Sequence, residues 1–142
     1  MVQVAQAVSS RARVGSSSGT HDADKRTTKL VDRTAAGQPS TTRATQPQVS
    51  GDGRYVAFSS SATDLVAGTP AVGRIYVWDR TTQRLEPIVR NRQGSYPASP
   101  GAASSMPYLD GDGSTVGFTS TALNLAPGQP ATRTERVVVW QR

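Results

Sequence analysis

Three stretches of this chain carry residue types that could do chemistry. The run GSSSG at residues 15–19 has the G-x-S-x-G form of a nucleophile elbow, and the single histidine of the 142 residues, His21, stands four positions from Ser17. Such an elbow works when a strand, a sharp turn and a helix lift the serine toward a histidine that follows a distant acid. Here the flanks, SSRARV and THDADK, are polar, so the run reads as a flexible Gly/Ser segment. Asp110-Gly111-Asp112-Gly113 supplies the closely spaced carboxylates with which a calcium loop begins. The closing glutamate is missing, because the twelfth position from Asp110 is Thr121, and these two acids are the only clustered pair considered for acid/base work. Trp78 and Trp140 could stack a sugar or a peptide ring, but at matching strand positions they read as packing between sheets. Asp64 and Asn124 each precede a leucine and read as turn formers that bond their own backbone. No catalytic, cofactor-binding or metal-binding residue is assigned, and no cofactor is expected.

The totals narrow the classes further. With no cysteine, disulfide frameworks, Cys-based zinc sites and thiol catalysis are excluded by inventory. The formal charge of +6 permits attraction to nucleic acid or other polyanions. The arginines are scattered, however, at Arg13, Arg43, Arg54, Arg74, Arg90 and Arg133 among others, without a run or stripe, which speaks against a dedicated nucleic-acid surface. No apolar run reaches the ~18 residues that a membrane span needs. The opening MVQVAQAVSS lacks a basic start and a long apolar stretch, although Ala5-Gln6-Ala7 has the A-x-A form of a cleavage site, as in a chain whose true start lies upstream.

What must position any site is a repeat. Residues 47–71 and 107–131 align at an offset of 60 without gaps and agree at 12 of 25 positions, including GDG, Val56/Val116, Phe58/Phe118 and Leu65/Leu125. After a two-residue insertion RIYVWDR, from Arg74, faces RVVVWQR, from Arg136. Abundant Gly, Pro, Ser and Thr with few helix formers favours short strands. Each unit accordingly reads as PQVS, a turn at Asp52-Gly53, RYVAFSS, a long loop, RIYVWD, a turn at RTTQR, and LEPIVR. This is a four-stranded antiparallel meander, and Pro87, which has no ladder donor, places the fourth strand at its edge. Tyr55, Val56, Ala57 and Phe58 are all suited to burial, so both faces of the sheet are expected to be covered. Stacked blades satisfy this better than a two-sheet sandwich with one inner face each.

PQVSGDGRYVAFSSSATDLVAGTP followed by RIYVWDRTT resembles the TolB-type β-propeller repeat, with its Pro-x-x-Ser-x-Asp-Gly-Arg-Tyr-Val-Ala-Phe core and Ile-Tyr-Val-x-Asp strand. The resemblance covers residues 47–90 well and 107–142 more loosely. It implies an all-β propeller of four-stranded blades, a non-catalytic binding or scaffold role, and a secreted or periplasmic location. Ser114-Thr115 depart from the pattern at Arg54-Tyr55, and Arg74 and Arg136 stand at a position often acidic in that repeat, so no cation role is carried over there.

The expected organisation is a polar, flexible segment over residues 1–26; the last strand of a preceding or closing blade plus a loop over 27–46, with the strand at 28–31; a complete blade and connection over 47–106; and a second blade lacking its fourth strand over 107–142. Two blades cannot close a ring of about four to eight. The missing blades are expected from a longer chain or from copies in a homo-oligomer, because open faces would otherwise expose Phe58, Phe118, Trp78 and Trp140. A protein or glycan ligand is expected on the loops at residues 61–73 and 121–135. The other readings are a fragment of the propeller domain that accompanies a hydrolase, and a polyanion or nucleic-acid binder.

Overall fold

A computed structural model describes residues 28–91, 93–97, 102–123, 125–129 and 132–142. The GSSSG run, His21 and Asn124 lie outside the described residues. Among those described there is no helix. Seven strands form two antiparallel sheets. The first has the order β1 (Ala44–Val49), β2 (Tyr55–Ser60), β3 (Arg74–Asp79), β4 (Arg84–Pro87); the second has β5 (Ser104–Leu109), β6 (Thr115–Ser120), β7 (Arg136–Gln141). The meander order is therefore the one expected from the sequence, with β4 at the edge and ending on Pro87.

The repeat extends to the register. Val56 faces Trp78 and Phe58 faces Tyr76 in the first sheet, and Val116 faces Trp140 and Phe118 faces Val138 in the second. Because successive side chains point to opposite faces, the first sheet buries two sets of residues. Tyr55, Ala57, Ile75 and Val77 pack against Leu109, Val116 and Phe118 of the second sheet. Val56, Phe58, Tyr76 and Trp78 pack on the other side with Ala62, Leu65 and Val31. All six residues of both β2 and β3 are buried, so the expectation of a sheet covered on both faces holds for this unit.

Local chemistry sets the turns. Between β1 and β2 the Gly53 amide donates to the Ser50 carbonyl, and Asp52 accepts from the Arg54 amide at 2.9 Å, an Asx arrangement. Gly53 and Gly113 both have positive φ, 70° and 72°. At Gly113 a Cβ would also overlap the Tyr55 ring from the other sheet, so this position has two reasons to lack a side chain.

Three expectations need correction. First, β1 begins at Ala44, three residues before Pro47, and contains an irregularity between Thr45 and Gln48 with Gln46 at φ 55°. Second, residues 28–31 do not form a strand; they run unpaired over one face of the first sheet, and Val31 is held by side-chain burial with no ladder. Residues 28–40 thus act as a strap, closed by a single bridge between Arg33 and Pro39. Third, Phe58, Phe118 and Trp78 are not exposed: the strap covers one face and the stacked sheets cover the other, and Trp140 is half-buried between them. Among the described residues the exposed large apolar side chains are Val49, Met106, Tyr108, Val137 and Val139.

Candidate functional site

The clustered carboxylates singled out for chemistry are used locally. Asp110 accepts from the Ser114 hydroxyl at 2.9 Å and the Thr115 amide at 3.1 Å, and Asp112 accepts from the Ser114 amide at 2.9 Å. These bonds hold the turn, and among the described residues no three His, Cys, Asp or Glu side chains converge as metal ligands. Asp64 acts otherwise than expected. It reaches across to the strap, accepting from the Ser40 hydroxyl at 2.7 Å and the Thr41 amide at 3.1 Å. These bonds hold its carboxyl below the usual carboxylate range. Sequence reading missed this link because its two ends lie more than twenty residues apart.

The loop at residues 61–73 is tied to the sheet beneath it. The buried Tyr76 hydroxyl donates to the Ala62 carbonyl at 3.0 Å, and burial pushes its phenol above the ordinary range, so the donor proton stays on. The Thr69 hydroxyl donates to the Val66 carbonyl at 2.8 Å. In the second sheet Val138 has no hydroxyl, and the Gln129 amide donates to the Ala122 carbonyl instead. The first loop is thus held by its sheet, and in the second the described bond closes the loop on itself.

Among the described residues two surfaces carry cavities of interest. One is the outer face of the second sheet, where Val137 and Val139 are 81% and 62% exposed. They are the register equivalents of Ile75 and Val77, which are 0% and 1% exposed inside the inter-sheet core. A cavity of about 490 Å³ lies beside them, lined by β7 and the loop at residues 125–129. The other surface is a cleft of about 520 Å³ between the strap and the first sheet, floored by Leu65, Val66 and Trp78. Neither presents a nucleophile beside a base.

The seam between the sheets is polar at its ends. The Asp52 amide donates to the Gly111 carbonyl at 3.0 Å, the Ser104 amide to the Gly73 carbonyl at 2.9 Å, and the Met106 amide to the Gln46 side-chain carbonyl at 2.9 Å. Arg142 stacks over Tyr55 with its guanidinium carbon 4.1 Å from the ring centre. Arg54 and Asp79 form a two-point pair at 3.2 and 2.9 Å, and this contact holds the Asp79 carboxyl well below the usual range. Arg74 is 1% exposed, its Nε and Nη2 have no hydrogen-bond partner among the described residues, and burial lowers its affinity for the proton. Its guanidinium lies 5.2 Å from the Tyr96 ring centre, which Arg90 also approaches, at 4.8 Å. Among the described residues no helix is long and apolar enough to cross a membrane. Searches with this chain return no matching family model, curated protein or solved structure.

Proposed function

We propose that the chain is a non-catalytic binding or scaffold module made of TolB-type propeller blades, with its binding determinants on the loops at residues 61–73 and 121–135. The observation that carries the reading is the handed way in which the sheets stack. The face with Ile75 and Val77 meets the face with Val116 and Phe118, and the same face of the second sheet, with Val137 and Val139, is open. Equivalent units ask for equivalent surroundings, so a further blade presenting a Val-x-Phe strand fits there. It would come from a longer chain or from another copy. Asp110 and Asp112 are engaged in their own turn and Asp64 in holding the strap, which supports a role without catalysis.

Light scattering after size exclusion tests the stacking. The chain should associate with rising concentration through this face, and Val137→Lys with Val139→Lys should leave a folded monomer. A parent chain that stays at 15.0 kDa at every concentration would count against a face that needs a cover.

A further inference from the structure

The cleft between the strap and the first sheet joins an apolar floor to a basic rim. Its floor is apolar, from Leu65, Val66 and Trp78, and its rim carries Lys29, Arg33 and Arg84, all three exposed. No acidic side chain lines it among the described residues. Lys29 lies over the Trp78 ring with its Nζ 5.3 Å from the centre, which places a cation at the boundary between floor and rim. The walls are fixed, since Asp64 clamps the strap to the loop that supplies Leu65 and Val66. A volume of about 520 Å³ is in the range of small-molecule sites, about 300–1,000 Å³.

We propose that this cleft binds a small anionic amphiphile: a carboxylate on an apolar chain, the chain lying on Trp78, Leu65 and Val66 and the carboxylate meeting Lys29, Arg33 and Arg84. The proposal rests on the binding-module reading and names the ligand class for the loop at residues 61–73. Apolar burial supplies attraction without selectivity, and the one-signed rim selects charge. Arg33 already donates to the Gly37 carbonyl at 3.3 Å, which holds its guanidinium at the rim.

The test uses the whole chain with Trp140→Phe, which leaves Trp78 as the only indole. Titration with decanoate below its micelle range should change the Trp78 emission saturably. Decanol should bind at least ten-fold more weakly, and decyltrimethylammonium should give no saturable change. Lys29→Gln with Arg84→Gln should weaken decanoate five- to ten-fold at unchanged melting temperature, and Val66→Asp should weaken it more. Equal binding of decanol and decanoate, no saturable change, or a double variant that binds like the parent would overturn the proposal. If the rim variants alter association in light scattering and leave decanoate emission unchanged, the cleft is a contact between sheets and the proposal fails. The stacking reading is judged separately, because its readout is the association state and its variants are at Val137 and Val139.

Discussion

The two sheets carry the same motif and are completed differently. In the first, Ile75 and Val77 are sealed by a neighbouring sheet, while their equivalents in the second, Val137 and Val139, face solvent. Phe58 and Phe118 occupy equivalent strand positions and are both buried, yet Phe58 lies beneath a strap and Phe118 against a sheet. The difference teaches that the motif specifies which side chains a strand offers, and the neighbour decides what each one is worth. The paired positions can be perturbed one at a time, which turns the comparison into a set of measurements.

The largest effects should come from the two phenylalanines. Phe58→Ala and Phe118→Ala should each cost about 3–5 kcal/mol in denaturant unfolding. A much smaller loss at Phe118 alone would mean that the sheets stack weakly, and the comparison would then be between a folded unit and a loose one. Next, Ile75→Ala should cost about 2–5 kcal/mol. Val137→Ala should stay within about 0.5 kcal/mol of the parent. In a form associated through this face the Val137→Ala cost should rise with protein concentration, so the measurement reads whether anything covers the outer face of β7.

Smaller effects probe the seam. Gln46→Ala removes the acceptor for the Met106 amide and should cost about 0.5–1.5 kcal/mol by thermal unfolding. Met106→Gln, at the equivalent site, should be neutral in the monomer. The smallest effect concerns acid. The folded-state pKa of Asp79 lies below its unfolded value, so its contribution is present above the ordinary carboxylate range and is lost as pH falls below it. Asp79→Asn should therefore flatten the acid limb of a stability-against-pH curve. Gln141→Ala, where the second sheet has neither this acid nor its arginine, should leave that limb unchanged.

Much of the fold was legible because the repeat is written in buried side chains. Val-x-Phe, Asp-Gly and the edge proline gave the strand order, the turns and the outer strand, each from local chemistry. The strap was not legible. The strand expected at 28–31 rested on local sequence and spacing, and what holds Val31 is a face made by residues up to about fifty positions away. Asp64 was misread for the same reason, since its partners Ser40 and Thr41 adjoin it only after folding. The cleft escaped sequence reading entirely, because Lys29, Leu65, Trp78 and Arg84 share no spacing that a linear pattern could carry.

Gly113 gives the repeat a direction. Its missing side chain makes room for Tyr55, a residue of the other unit, and the second unit has Thr115 where the first has Tyr55. The glycine in the turn thus answers to the unit before it as well as to its own backbone. The two units are consequently not interchangeable parts: transposed along the chain, the threonine would leave a gap over Gly53, and the tyrosine would no longer press on the glycine that accommodates it. Order along the chain is built into the fit between one ring and one absent methyl group.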